Sequence, residues 1–175
     1  MNSRPVRRRI AVAVTATAVL AAGTFALGAG VAGADAGNQG GKHAKPVTKA
    51  QVLGLFDQWN AALRTGEPKK VADLYAKDAV LLPTVSNQVR TDRAGIVDYF
   101  EHFLKNKPVG TKVESVVNVL DRDTVIDTGV YEFTLTDHDT GEKSTVKARY
   151  TYAYEKQPNG KWLIVNHHSS KMPQG

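Results

Sequence analysis

The chain has 175 residues, 42% of them hydrophobic, and a formal net charge of +6. It contains no cysteine, which excludes disulfides, a thiol nucleophile and a cysteine-bound metal. The length suits one compact domain that is stabilised by its own core.

Residues 1–34 have the composition of an export signal. Four arginines precede an apolar run that starts at Ile10, and small residues of the kind found at cleavage sites end it at Ala34. A membrane anchor is the alternative, because the run is nearly long enough to span a bilayer, but its many Gly, Ala and Thr residues favour cleavage. Arg7, Arg8 and Arg9 would also suit twin-arginine export, which the sequence does not separate from general secretion. We therefore expect a secreted, extracytoplasmic protein.

Removing this signal changes the charge balance of the chain. The 23 basic side chains include the signal's four arginines, so 19 basic and 17 acidic side chains remain. A net charge of about +2 without a basic–aromatic stripe gives no sign of a nucleic-acid partner, and we expect no membrane partner after cleavage. The chain also lacks a glycine-rich phosphate loop, an H-E-x-x-H metal motif and a G-x-S-x-G nucleophile motif. We expect no cofactor and no metal.

The rest of the chain divides into a linker and one domain. Residues 35–47 are polar and glycine-rich, as flexible linkers are. The domain is predicted at residues 48–173 and begins with Thr48 and Gln51, which form a capping-box pattern at the start of a helix.

The order of predicted elements indicates an α+β fold. A short helix from Pro68, a buried strand of sequence AVLLP and a helix capped by Thr91 or Asp92 follow the first helix. The hydrophobic period then changes from 3.6 to 2, and short turn-rich links separate the remaining strands, as in antiparallel hairpins. These strands are predicted at residues 111–120, 124–136, 143–156 and 161–170. We expect a curved antiparallel sheet wrapped around the N-terminal helices, with a cavity on its concave side.

Strand alternation selects the side chains that would face this cavity. We take the more apolar and aromatic face of each strand as the concave one. The candidate residues on this concave face are Asp127, Tyr131, Tyr152, Asn166 and His168. A β-bulge would invert the alternation, so His167 and Ser169 remain substitutes in the last strand.

Each candidate has a structural alternative. The tyrosines suit a core with hydroxyls at its rim as well as a ligand site, and Asp127 is either a hydrogen-bonded structural acid or a general base with a raised pKa. His168 titrates near neutral pH and can donate or accept a hydrogen bond. Arg90 lies in a predicted loop, where it is either solvated or placed to bind an anionic group.

Several segments carry a resemblance to a known family. The stretch "FDQWNAALRTGEPKKVADLYAKDAVLLPTVSNQVRTD", together with "DTGVYEFTLT", "ARYTYAYEK" and "GKWLIVNHHSSKMP", resembles the SgcJ/EcaC family of the nuclear transport factor 2-like superfamily. This family is similar to the association domain of calcium/calmodulin-dependent kinase II and to SnoaL-like cyclases. The resemblance covers about residues 48–173.

The resemblance implies a cone-shaped α+β barrel with a deep pocket, and dimers or larger rings formed through the outer face of the sheet. In the kinase association domain basic residues in the pocket bind carboxylates, and the positions here that match them are Tyr131, Tyr152 and Ser169. These replacements favour a neutral or aromatic ligand. SnoaL-like cyclases and ketosteroid isomerases use a pocket carboxylate or histidine for proton abstraction without a cofactor, a part that Asp127 or His168 would play.

Two functions of different classes follow. The first is an exported pocket protein for a small apolar or aromatic molecule, with a cofactor-free isomerase or cyclase activity as its enzymatic form. In it Asp127 and His168 are the catalytic candidates, and Tyr131, Tyr152, Asn166, Ser169 and Arg90 are the ligand-binding candidates. The second is a non-catalytic association module that forms a homodimer or a higher homo-oligomer.

Overall fold

The computed structural model describes residues 46–173. The predicted export signal and most of the predicted linker lie outside this range. Within residues 46–173 no helix is both long and apolar enough to cross a membrane.

The first helix, α1, spans Lys49–Arg64 and begins with the predicted capping box. The hydroxyl of Thr48 accepts the Gln51 backbone N–H at 3.2 Å, and the Gln51 side chain accepts the Thr48 backbone N–H at 2.8 Å. Two of the orphan donors at the helix start are thereby satisfied. The helix is followed by Gly66 in the left-handed conformation, with φ of 69°, a geometry that favours glycine.

Two further helices lie against each other, and the second of them also contacts the first strand of the sheet. Helix α2 spans Pro68–Ala72, with its proline at the first helical position. Helix α3 spans Arg93–Phe103, and Asp92 caps it by accepting the Gly95 N–H at 2.8 Å. A short 3-10 helix, Leu104–Asn106, ends this segment with Lys107 at a positive φ.

Five strands form one sheet: β1 (Tyr75–Leu82), β2 (Val109–Val119), β3 (Thr124–Thr136), β4 (Lys143–Lys156) and β5 (Trp162–Lys171). Their order is β1-β5-β4-β3-β2. The α+β class and the curved sheet against helices are confirmed. The sheet is mixed rather than wholly antiparallel, because β1 pairs parallel with β5, and it is open, with β1 and β2 at its two edges.

The core lies between α1 and the concave face of the sheet. Phe56 and Trp59 of α1 are both 2% exposed. Their rings contact inward-facing rings of the central strands, with Phe56 6.4 Å from Tyr152 and Trp59 6.0 Å from Phe133 between centroids. Tilted and edge-to-face contacts of this kind add to the free energy gained from burial.

A β-bulge in β5 decides which side chains of that strand face inward. Ile164 pairs with Tyr154 and Asn166 pairs with Ala153, so two steps along β5 oppose one step along β4. Val165 is the extra residue, and the alternation is inverted after it. The side chains that face the core in the second half of β5 are therefore those of His167 and Ser169, which are 4% and 6% exposed.

A second bulge, at Val113 in β2, lies opposite Tyr131 and Val130 of β3, and the next residue of β3, Gly129, pairs with Ser115. A Cβ atom at position 129 would come 2.0 Å from the carbonyl oxygen of Glu114. No side chain fits there, so this glycine lets the backbone of the edge strand bend close to β3.

Candidate functional site

A small cavity lies between α3, the segment after β1 and the concave face of the sheet. Its free volume is about 40 Å³, which is room for about three water molecules. Most of its wall is apolar, as is usual for small-molecule sites. Its aromatic members are Trp59, Tyr99, Phe100, Phe103, Tyr131 and Phe133.

Three hydroxyl groups form a polar patch in this wall. The Tyr131 hydroxyl donates to Ser169 Oγ at 2.5 Å, and Ser169 Oγ is in hydrogen-bond contact with Thr84 Oγ1. All three residues line the cavity. Burial raises the pKa of Tyr131 to about 12 although both hydroxyl partners oppose the rise. The phenol is therefore a neutral donor at any physiological pH.

His167 is the one imidazole in the wall. Its Nδ1 lies 2.8 Å from the hydroxyl of Tyr75, which in turn accepts the Trp59 indole N–H at 3.1 Å. Its ring stacks on Tyr152, with centroids 4.0 Å apart. Its Nε2 is buried and has no hydrogen-bond partner within residues 46–173. Burial lowers the pKa of His167 to about 3, with a smaller contribution from His168, so the ring is neutral above about pH 4.

A second, more open cleft of about 350 Å³ adjoins this cavity. Three side chains, Val85, Tyr99 and Phe103, line both spaces. Arg90 lies in the outer cleft, where its guanidinium is paired with Asp98 at 3.1 Å. Its backbone forms a bridge with Leu81 of β1, which fixes the loop between them. The two spaces thus share part of their walls, and we refer to them together as the funnel. The outer cleft contains charged side chains and the inner cavity is mostly aromatic.

Asp127 faces the concave side of β3, as predicted, but it does not line the cavity. It lies four residues from Tyr131 along β3, about 13 Å for an extended strand. Its carboxylate accepts a hydrogen bond from Lys112 Nζ at 3.1 Å and another from the Tyr150 hydroxyl at 3.1 Å. Asp127 is fully buried and already paired. In this structure its carboxylate is therefore engaged by Lys112 and Tyr150 and lies outside the cavity wall.

The orientation predicted for His168 and Asn166 is wrong. The bulge at Val165 inverts the strand, so His168 is exposed and Asn166 pairs with the outward-facing Ala153. The substitutes His167 and Ser169 take their places on the inner face. Tyr152 faces inward as predicted, but it is fully buried behind His167 and is not part of the cavity wall.

A sequence profile and solved structures identify the family of this chain. The sequence profile described as "Calcium/calmodulin dependent protein kinase II association domain" matches residues 48–173. The chain belongs to this family. The SgcJ/EcaC name remains a prediction. None of the curated proteins compared with the chain matches it.

Solved structures agree with this membership in the association-domain family. A candidate kinase II association domain from Xanthomonas campestris is 58% identical, covers 75% of this chain and 95% of its own, and superposes with a TM-score of 0.71. A nuclear transport factor 2-like protein from Salmonella enterica is 14% identical, with coverages of 71% and 91% and a TM-score of 0.63. A ketosteroid isomerase-like protein from Erwinia carotovora is 16% identical, with coverages of 71% and 96% and a TM-score of 0.60. The last two show the fold alone.

Several residues of this site are not among the candidates predicted from the sequence. Thr84, Tyr99 and Phe103 line the cavity, yet the first lies outside the predicted strands and helices, and the other two lie on a helix for which no site residue was predicted. One signal was present: Tyr99 and Phe103 stand four residues apart, so they share a helix face. No group of three or more His, Cys, Asp or Glu side chains in the part of the chain that the structure describes could hold a metal ion.

Proposed function

We propose that this association-domain protein is an exported binder of a small molecule, and that the funnel formed by the cavity and the outer cleft is its site. The observation that carries the proposal is the wall that the two spaces share. Val85, Tyr99 and Phe103 belong to both walls, so a passage between these side chains would let a ligand in the outer cleft extend into the aromatic interior. Export is supported by the sequence of residues 1–34, in which arginines precede an apolar run that ends in small residues.

The geometry favours binding over proton transfer. Asp127 is held by Lys112 and Tyr150, and His168 points away from the cavity. The Nδ1 of His167 is already in contact with Tyr75. A general base must lie within hydrogen-bond reach of the proton that it removes. Neither of the two predicted bases meets this requirement at the cavity.

A substitution at the junction of the two spaces tests the proposal. Val85 is 59% exposed, so Val85→Trp is expected to leave the fold intact while its indole obstructs the passage. A panel of small aromatic ketones, carboxylates and hydrocarbons is screened by thermal shift on the wild-type protein and the variant. A bound compound raises the free energy of unfolding by RT ln(1 + [L]/Kd), about 2.7 kcal/mol at 100 Kd.

The matched control is Val89→Trp, because Val89 is 55% exposed and lines neither space. We expect at least one compound to stabilise the wild type and the Val89→Trp protein and to lose about tenfold or more in affinity for Val85→Trp. Equal binding by all three proteins would place the ligand elsewhere. A panel without any binder would argue against a ligand-binding function.

The second candidate is a homo-oligomerising association module. The family match favours it, as does the position of the exposed apolar side chains. Of the seven large hydrophobic side chains that are exposed in residues 46–173, five lie between Val109 and Leu120, along the edge strand β2 and directly after it. Apolar side chains concentrated on one edge are a common mark of an interface. The two candidates are compatible, since none of the residues that line the cavity or the outer cleft belongs to β2.

A further inference from the structure

The hydrogen-bond chain behind the cavity wall determines which atom His167 offers to a ligand. Trp59 Nε1, the Tyr75 hydroxyl and His167 Nδ1 lie in sequence at 3.1 Å and 2.8 Å. An indole nitrogen is only a donor, and a phenol has one hydrogen to give. The Tyr75 oxygen therefore accepts the hydrogen of Trp59, and the direction of the second bond is left to be decided.

Counting hydrogens decides that direction. If Tyr75 donates to Nδ1, every polar group of these three side chains is paired except the Nε2–H of His167. If His167 instead donates from Nδ1, two buried groups lack partners within residues 46–173: the Tyr75 hydroxyl hydrogen and the bare Nε2. Unpaired buried polar groups are costly, so the first arrangement is favoured. His167 is then a neutral imidazole with its hydrogen on Nε2.

The ring that carries this hydrogen belongs to the cavity wall. Tyr75 holds the Nδ1 edge of the ring and is not part of that wall. His167 is 4% exposed, so its Nε2–H is a buried donor without an acceptor within residues 46–173. The hydroxyl patch of Tyr131, Ser169 and Thr84 lines the same small space.

We propose that the cavity recognises the oxygen of an uncharged carbonyl group, which accepts the Nε2–H of His167. This inference rests on the proposed binding function and specifies the chemistry of its ligand. The free volume of about 40 Å³ admits a carbonyl head with few neighbouring atoms, and the rest of the molecule lies in the passage lined by Val85, Tyr99 and Phe103.

The cavity wall argues against a charged oxygen in place of the carbonyl. The residues that line it include no Lys, Arg, Asp or Glu, and Arg90 belongs to the outer cleft, where it faces Asp98. A carboxylate would lose its hydration shell there without gaining an ion pair, which is unfavourable. A ketone loses much less on transfer and gains the hydrogen bond.

The first test concerns the free protein and needs no ligand. Long-range ¹H–¹⁵N correlation spectra of the protein labelled with ¹⁵N-histidine distinguish the two neutral forms of an imidazole. We expect one histidine to stay neutral and to carry its hydrogen on Nε2 down to about pH 4, and its signals to be absent in His167→Gln. A buried neutral histidine that carries its hydrogen on Nδ1 would overturn the inference.

The second test uses three probes of nearly the same shape: acetophenone, α-methylstyrene and benzoate. The first has a neutral acceptor oxygen, the second has a methylene group in its place, and the third has a charged oxygen pair. We expect acetophenone to bind about tenfold or more tightly than α-methylstyrene, since the latter leaves Nε2–H unpaired, and benzoate to bind more weakly than acetophenone.

Variants at His167 attribute this preference to the imidazole. His167→Phe removes the donor and keeps a ring, and we expect it to bind acetophenone and α-methylstyrene about equally. His167→Gln retains an N–H and is expected to keep the preference for the ketone. If α-methylstyrene binds the wild type as well as acetophenone does, the inference fails while the binding function stands. If no probe binds and the broader panel also fails, the binding function fails with it.

Discussion

At the scale of single residues, the position of His167 shows how burial alone sets the chemistry of a side chain. The neighbouring His168 belongs to the same strand and is exposed. His167 is surrounded by the rings of Trp59, Tyr75 and Tyr152, and no carboxylate within residues 46–173 forms an ion pair with it. Burial among these rings therefore opposes protonation of His167.

A pH dependence of stability follows from this burial. The pKa of His167 falls from 6.5 to about 3 on folding, so the unfolded chain binds one more proton than the folded chain between these values. The contribution of His167 to the free energy of unfolding is fully present above about pH 6.5. It decreases as the pH falls, by up to about 1.4 kcal/mol per pH unit. Urea denaturation at a series of pH values measures the slope.

Two variants control for this prediction, through the change in their free energy of unfolding with pH. His167→Gln is expected to be less stable at pH 7 but to lose less free energy of unfolding between pH 7 and pH 4 than the wild type does. His168→Ala is expected to keep the wild-type slope, because that side chain is exposed. Identical slopes in the wild type and His167→Gln would show that His167 takes up its proton in the folded state.

At the scale of elements, a buried ion pair joins the strands β2 and β3. Lys112 Nζ lies 3.1 Å from Asp127 Oδ2, also donates to the Leu53 carbonyl at 3.1 Å, and lies 4.8 Å from the centroid of the Phe56 ring. The carboxylate is fully buried and the lysine side chain is 18% exposed. This cluster links the edge strand, its neighbour and α1 next to the bulge at Val113.

Breaking this pair on one side is expected to be more harmful than removing both partners. Asp127→Leu leaves the Lys112 cation without its counter-ion and is expected to lower the free energy of unfolding by about 3 kcal/mol or more. The double variant Lys112→Met/Asp127→Leu is expected to lose less than the sum of the two single changes, by about 1 kcal/mol or more. Denaturant titration of the four proteins gives the coupling, and additive losses would contradict a direct pair.

How far the sequence could predict the site depended on the regularity of each strand. The alternation predicts the inward face of β3 and β4 correctly for Asp127, Tyr131 and Tyr152, because these strands pair without interruption over that stretch. The assignment failed in β5, because counting by twos gives no sign of the extra residue Val165. The cleft around Arg90 depends on the bridge between Leu81 of β1 and Arg90 in the loop that follows, which the strand alternation does not reveal.

At the scale of the whole molecule, the proposed binding site and the proposed interface involve different strands. The funnel is lined by residues of α3, β1, β3, β4 and β5, whereas the exposed valines lie along the edge strand β2. The family is named for association. Oligomer formation along β2 would therefore leave the funnel open to a ligand.

A single charge on this edge tests the interface. Val116 is 52% exposed in the middle of β2, so Val116→Lys is expected to cost little in the folded monomer but to disfavour burial against a second copy. Light scattering is expected to give a dimer or larger assembly for the wild type and mostly monomer for the variant. Val89→Lys, at a similarly exposed position in a loop, serves as the control. An unchanged mass for Val116→Lys would place any interface elsewhere.

The bulge in β5 has a consequence for how the protein tolerates errors of alignment. The strand ends in two doublets, His167-His168 and Ser169-Ser170. Were the pairing to slip by one position so that His168 took the place of His167, Ser170 would take the place of Ser169, and the cavity would keep one imidazole and one hydroxyl. The two doublets make the inner surface redundant for a slip in this direction, so that a one-residue deletion before them would change the numbering of the site without changing its functional groups.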